Sequence, residues 1–316
     1  MKYKVTAGIL AYNGEKYFKK CFESLFKQNF NDFEIVVLDN ASPNQDHKIL
    51  KKQYSNKIRV IHSDKNLGFG KGHNKIMQES DSEYYFCLNQ DMFFEPDFIK
   101  EIVSVLDKNP QVGSATGKLY RWDFENDSKT DHIDTIGIFP KKTHQFEDIA
   151  QGEKDTGKFD EQKEIFGSSG AAVALKRSAL KEVGAFDPLF FMYKEDVELA
   201  YKLQWGGWKC VYTPKAIAYH DRTTPKASSI LQGRKSKPLH IRKWSYLNHL
   251  ILIEKNYSKN FSWEIRLKTW IHQTLTKIWV HIFERDILGA EKEFKALKIT
   301  PNQKKVLIHD IQKFFI

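Results

Sequence analysis

The chain predicts an α/β fold: a mostly parallel, doubly wound sheet flanked by helices, followed by a helical C-terminal appendage. Three observations carry this expectation. Apolar runs of strand length alternate with segments of helical periodicity through residues 4–107. The run Tyr84-Tyr85-Phe86-Cys87-Leu88 is apolar on both faces of its pleat, as in a strand covered by helices above and below. Charge is unevenly placed: residues 221–316 hold 19 Lys and Arg against 8 Asp and Glu, whereas residues 1–220 hold 31 against 32. The whole basic excess therefore belongs to the last third, which reads as an appendage on a neutral body.

Residues 4–12 read as the first strand, and Asn13-Gly14 turns it into a helix ending near Gln28, with Phe18, Cys21, Phe22 and Leu25 at helical spacing. Residues 34–39 and 58–62 read as strands two and three, and the alternation implies a helix between them. Strand three runs into the glycine-rich stretch 66–74, then a helix to about Ser80. The fourth strand ends abruptly in Asn89-Gln90-Asp91, and a helix from Pro96 to about Asp107 puts Phe98, Ile102 and Leu106 on one face. Residues 141–163 lack apolar periodicity and read as a long mobile loop, of a length that is usually functional or disordered. Short helix, turn, helix and two short strands are expected at 178–183, 184–188, 195–205, 209–212 and 216–220, with helical pattern from about 237 to the end. The expected division is a domain over 1–236 and a basic, aromatic helical region over 237–316.

With 41% hydrophobic residues the chain can bury a large core. Cys21, Cys87 and Cys210 are far apart in apolar contexts, so they read as free thiols in a reducing compartment, without metal spacing. The start has no signal-peptide pattern, and no run of 18 apolar residues occurs. A cytoplasmic protein is expected, peripheral at most at the inner face of the plasma membrane. In residues 262–283, Trp263, Leu267, Trp270, Ile271, Leu275, Ile278 and Ile282 form one stripe. It suits either packing on the domain or contact with an anionic membrane. The neutral body and the lack of a recognised module argue against nucleic-acid binding by the tail.

In a doubly wound sheet, ligands sit at the carboxyl ends of strands. Asn89 and Asp91 fall there, and a carboxylate at that place can hold a hard divalent cation or simply cap the next helix. Asp39 ends strand two; it reads as a turn residue or as an acceptor for a pyrimidine N3–H or a ribose hydroxyl. Glycines 68, 70 and 72 before a helix allow close approach of a phosphate, or a flexible turn. The stretch is not a GxGxxG and follows the third strand, which counts against a dehydrogenase. Asp196, second residue of an acidic helix start behind Phe190-Phe191-Met192-Tyr193, either complements the helix dipole or takes a proton from an attacking hydroxyl. His220, at a strand end, either bonds to backbone or completes a metal site with Asp91.

The ordered set resembles the inverting family 2 glycosyltransferases of GT-A fold, closest to the rhamnosyltransferase-like branch of bacterial cell-surface polysaccharide synthesis. It runs from Ala11-Tyr12-Asn13 and Val37-Leu38-Asp39-Asn40-Ala41-Ser42 to Asn66-Leu67-Gly68-Phe69-Gly70-Lys71-Gly72-His73-Asn74. It continues with Leu88-Asn89-Gln90-Asp91, Gly167-Ser168-Ser169-Gly170-Ala171 and Lys194-Glu195-Asp196-Val197-Glu198, with His220 beyond. The resemblance covers about residues 4–222. It implies a dTDP- or UDP-sugar donor bound by Ala11, Asn13, Asp39, Asn66, Gly68, Lys71, Asn74, Asn89 and Gln90. It implies Mg²⁺ or Mn²⁺ at Asp91 and His220, and Asp196 as catalytic base. Acceptors would be saccharides or lipid-linked saccharides. Two departures stand out. Asn89 replaces the first acid of the family's Asp-x-Asp, leaving fewer charges for the metal. The Gln-x-x-Arg-Trp signature of processive synthases is missing after Asp196, which favours one sugar per encounter. The rival class is a nucleotide-binding protein without transferase activity.

Overall fold

The computed structural model describes residues 2–222 and 237–316. Its main sheet has the order β10-β12-β6-β11-β4-β1-β2-β3. These strands are β1 (Val5–Ala11), β2 (Phe33–Asp39), β3 (Arg59–His62), β4 (Tyr84–Asn89), β6 (Val112–Asp123), β10 (Lys163–Ile165), β11 (Ala172–Lys176) and β12 (Lys209–His220). At its margin β5 (Met92–Phe94) pairs with β12, and β7 (Ser128–Thr135) pairs with β6. Strands β3, β2, β1 and β4 run parallel, as do β6 and β12, but β11 inserts antiparallel between β4 and β6. The sheet is therefore mixed, with its parallel half where the alternation of elements predicted it.

The register sets the site. Ala11 pairs with Asp39 and Leu10 with Asn89, so the ends of β1, β2 and β4 form one edge. Alternate residues of β4 enter different cores: Tyr84, Phe86 and Leu88 join α1 (Glu15–Phe26) and α4 (Phe98–Lys108), while Tyr85 and Cys87 join α3 (Phe69–Gln78) and α6 (Glu195–Trp205). This is why β4 reads as unbroken apolar sequence: burying either face gains roughly 2 kcal/mol per large side chain. Helix α2 (Asp46–Tyr54), unplaced by periodicity, contributes Leu50 to the first core. The three cysteines are buried and free.

The loop expected over 141–163 is ordered β structure and tied turns. Strands β8 (Ile138–Pro140) and β9 (Phe146–Asp148) form a hairpin. Beyond it, backbone bonds link Gly152 N–H to Ile133 and Asp155 N–H to Asp131, each at 2.8 Å. Buried Lys118 reaches Asp155 at 2.7 Å. Polarity misled the periodic reading because these segments are held by backbone and ion pairs rather than by an apolar stripe.

The C-terminal helices α7 (Leu239–Asn256), α8 (Trp263–Phe283), α9 (Gly289–Ala296) and α10 (Ile308–Gln312) do not stand apart. Ile251, Leu252, Phe261, Ile265, Ile311 and Phe315 share a core with Phe166, Phe190, Tyr201 and Trp205 of the α/β body. The boundary expected at 236/237 falls beside residues outside the described ones. No helix among the described residues is long and apolar enough to cross a membrane.

Candidate active site

Asp91 follows β4 by two residues and does not cap a helix, since β5 intervenes and Asp97 precedes α4. Its Oδ1 lies 3.5 Å from Nε2 of His220, the last residue of β12. The other ring nitrogen, Nδ1, donates to Oδ2 of Asp134 at 2.9 Å, so a buried carboxylate rather than backbone orients this imidazole. Burial alone would lower the His220 pKa, but Asp134 and Asp91 outweigh it and push it up to about 9. Asp134 is itself held ionised against its burial by His220 and Arg222. The set fits a divalent cation. Two ligand atoms face each other where β12 ends between β5 and β6, and the carboxylate behind the imidazole fixes which nitrogen is presented. A cation entering there must displace the ring proton.

The chain of contacts continues. Arg222 Nη1 bridges Asp134 Oδ1 at 3.2 Å and Asp148 Oδ2 at 2.9 Å. Asp148 lines a cavity of about 340 Å³ together with Asp196, Lys194, Tyr193, Phe146 and Ile241. Larger hollows of about 550 and 620 Å³ lie elsewhere, around Asp187 with Lys255 and around Lys71 with Lys75, and contain neither Asp91 nor Asp196. The smaller cavity is the candidate because Asp196 and Asp148 both line it; Asp91 and His220 lie outside its lining.

Asp196 opens α6. Its Oδ2 accepts from Gly170 N–H at 3.0 Å and its Oδ1 from Val197 N–H at 2.8 Å. Burial raises its pKa, those two bonds oppose the rise and Asp148 adds to it, leaving a stronger base than an ordinary aspartate. Glu195 beside it is buried and raised to about 8, chiefly by desolvation, so it stays protonated at neutral pH. The approach to α6 is strained: Tyr193 and Lys194 have φ of 73° and 68°. Asn248 of α7 clamps that turn by donating to the carbonyls of Met192 and Tyr193, both at 2.8 Å. Non-glycine residues persist at such φ only when their surroundings hold them there.

The two halves meet through β11. Asn89 N–H donates to Ala171 O at 2.9 Å, and the neighbouring Gly170 holds Asp196. Asp91, just past β4, and Asp196, at the start of α6 and held by Gly170 just before β11, are thus linked through the paired ends of β4 and β11.

Other expected residues receive varied places. Gln90 brackets Tyr12, accepting its N–H at 3.0 Å and donating to its carbonyl at 3.1 Å. Asn13 bonds through its N–H to Ser42 Oγ, on the loop after β2, beside Ala11. Asn66 Oδ1 accepts from Asn40 at 3.0 Å and from Gly68 N–H at 2.8 Å. Asp39 is fully buried, bonded by Ser42 N–H, His47 N–H and, at 2.6 Å, His47 Nδ1. Asp39, His47 and His62 also bring three ligand atoms within 4.8 Å of one another. Lys71 is exposed on the first turn of α3.

The glycine-rich stretch, read as a close approach for a phosphate or a flexible turn, also serves packing. Gly70 and Gly72 lie inside α3, where a Cβ would meet Phe186 and Leu10 respectively, so they permit helix–core packing. At Gly68, φ is +74° and a Cβ would strike the Phe191 carbonyl. Asn74 spends both ends of its amide on the Phe186 backbone, at 2.7 and 3.1 Å, and so brackets that turn. Asp134, Asp148 and Arg222 were not anticipated. Two acids in a polar stretch carry no periodic signal; only the charged triplet His220-Asp221-Arg222 at a strand end hinted at the network.

The profile described as Glycosyl transferase family 2 matches residues 6–184, more than half the chain. The chain is similar to N-acetylglucosaminyl-diphospho-decaprenol L-rhamnosyltransferase of Mycobacterium tuberculosis, 22% identical over 242 residues, 67% of this chain and 74% of that one. It is 35% identical over 97 residues to chondroitin synthase of Escherichia coli, 30% of this chain and 14% of that one. The chain thus spans a small part of that synthase, as it does of a teichoic acid poly(glycerol phosphate) polymerase of Staphylococcus epidermidis, where the share is 13%. Among solved structures it resembles GalNAc-T7 with UDP, GalNAc and Mn²⁺ (13% identity, TM-score 0.61, 91% of this chain, 57% of that one). It also resembles Staphylococcus aureus TarS 1–349 in complex with UDP-GlcNAc (16%, TM-score 0.56, 92% and 80%). At these identities the structural likeness speaks for the fold.

Proposed function

From a chain that belongs to glycosyl transferase family 2, we propose an enzyme that moves one sugar from a nucleotide-diphosphate sugar to an acceptor hydroxyl, with inversion. The donor is a dTDP- or UDP-sugar, and the acceptor is a saccharide or lipid-linked saccharide in surface polysaccharide or glycolipid assembly. Peripheral contact with an anionic membrane through the C-terminal region belongs to the same reading. The observation that carries it is the adjoining placement of the Asp91–His220 pair and Asp196, joined through β11 and the Asp134–Arg222–Asp148 chain.

The chemistry assigns each group a task. The acceptor hydroxyl enters the cavity that Asp196 lines and attacks the anomeric carbon opposite the diphosphate. Asp196 takes the hydroxyl proton as the new bond forms and the carbon–oxygen bond to the diphosphate breaks. Asp91 and His220 would hold a divalent cation, Mg²⁺ or Mn²⁺, which when bound neutralises the charge that builds on the departing diphosphate. Asp148 is tied to Arg222 and Glu195 is protonated, which supports reading Asp196 as a base in a single inverting displacement.

The test is a panel of dTDP- and UDP-sugars incubated with the full chain, with and without Mn²⁺, reading release of nucleoside diphosphate. Metal-stimulated release from one donor supports the reading. Nucleotide binding without any release would leave a nucleotide-binding protein instead.

A further inference from the structure

Helix α8 (Trp263–Phe283) is built inside out. Its buried side carries Ile265, Thr269 and Val280. Its polar contacts are to the body: Thr269 Oγ1 with His144 Nδ1 at 2.8 Å and with the Lys142 carbonyl at 3.1 Å, and Gln273 with His249 at 2.7 Å. The apolar stripe points the other way. Trp263, Trp270 and Leu275 are 75%, 65% and 60% exposed, and Leu267, Ile271, Ile278, Ile282 and Phe283 are exposed with them. Internal packing, one of the two readings the sequence allowed, is therefore not what this stripe does. A contiguous apolar face of this size on a helix of 21 residues, about 30 Å long, marks an interaction surface.

The charges around the stripe favour one occupant. Cations edge the stripe on both sides: Arg266 and Lys277 along one, Lys268 along the other, all exposed. The acid at its start, Glu264, is already paired with Lys142 and Lys268, at 3.0 and 2.7 Å. A second copy stacked stripe to stripe would be self-complementary only by setting these cations against their equivalents. A lipid surface bearing anionic headgroups matches both the charged edges and the tryptophans, whose rings prefer the boundary between water and hydrocarbon. The position also suits the acceptor. Val280 packs with Tyr246 of α7, whose residues Ile241 and Ser245 line the Asp196 cavity, and Lys142 and His144 belong to the β8–β9 hairpin that lines it too.

We propose that the exposed face of α8 lies in the interface of an anionic membrane and holds the Asp196 cavity beside the headgroup layer, where a lipid-linked acceptor is presented. The inference deepens the membrane contact of the transferase reading and rests on that reading for the nature of the acceptor, while flotation measures lipid binding separately from transfer.

The test is flotation of the full chain with phosphatidylcholine vesicles and with phosphatidylcholine–phosphatidylglycerol vesicles, at low and high salt. Binding should be strong only with phosphatidylglycerol and should fall with salt. Trp270→Ser combined with Leu275→Ser should lose it, and Arg266→Gln combined with Lys277→Gln should weaken it roughly tenfold or more. Both variants should keep the wild-type melting transition and donor hydrolysis. Equal binding to neutral vesicles, or undiminished binding by the Trp270/Leu275 variant, overturns the proposal. So does a wild-type dimer that this variant turns to monomer while neither protein floats. Loss of donor hydrolysis in the wild type would instead strike the transferase reading and leave the lipid result standing.

Discussion

His220 Nδ1 donates to Asp134 Oδ2 at 2.9 Å while its Nε2 faces Asp91 at 3.5 Å, so one buried acid aims the imidazole at another. Removing the aiming group should disturb the metal more than the fold. Asp134→Asn is expected to raise the Mn²⁺ concentration for half-maximal activity about 10- to 100-fold. A Mn²⁺ titration of donor hydrolysis, with calorimetric Mn²⁺ binding in parallel, checks it. An unchanged Mn²⁺ requirement would leave Asp134 a purely structural acid.

Asp196 is the only group assigned the acceptor proton. Asp196→Asn can keep only one of the two acceptances, from Gly170 or from Val197, because its amide nitrogen cannot accept, and it loses the base. Transfer should fall roughly 10²- to 10⁴-fold in kcat with nucleotide affinity preserved. Single-turnover transfer and equilibrium UDP or dTDP binding separate the two.

Glu195 gives a pH signature. Its pKa is raised from 4.5 to about 8 in the folded chain, because burial disfavours the charged form and Oε2 finds no hydrogen-bond partner among the described residues. Between those values the folded state keeps a proton that the unfolded state releases. Its contribution is therefore full below about 4.5 and is lost as pH rises through 8, on the order of a few kcal/mol. Glu195→Gln should flatten this fall. The difference between wild-type and variant urea midpoints from acid to alkaline pH measures it.

Asn248 holds the left-handed pair Tyr193-Lys194. Asn248→Ala should let the turn relax and misplace Asp196, lowering kcat with little change in donor KM; equal loss in both would place Asn248 at the donor instead.

Gly70 is a packing glycine, since a Cβ there would sit 2.9 Å from the Phe186 Cβ. Gly70→Ala should cost about 1–3 kcal/mol of stability by overpacking. Thermal melts and donor KM distinguish this from a phosphate-binding role, which would raise KM instead.

Much of the fold was legible because burial on two faces leaves unbroken apolar strands, as in β4, and one-sided burial leaves the 3.6-residue stripe of α1 and α4. Helix α6 was placed at its observed bounds because Glu195-Asp196 marks its start and Gly206 its end. What escaped has physical reasons. The β7–β9 region is fixed by backbone pairing and by Lys118, which no periodicity records. Asp91, His220 and Asp196 were readable as candidates because they are polar residues next to apolar runs. Asp134, Asp148 and Arg222 were not, because they matter only through partners more than 70 residues away. The stripe on α8 was seen, but whether it faced the core or solvent is a property of the packed molecule.

The donor is proposed to sit in one cleft between Asp91 with His220 and Asp196. A crystal structure of the chain with Mn²⁺ and UDP or dTDP tests it most directly. The account predicts Mn²⁺ bound by Asp91, His220 and the diphosphate, with the diphosphate end directed toward the Asp196 cavity. A nucleotide lodged in the hollow around Asp187 and Lys255, with Mn²⁺ away from Asp91, would contradict it.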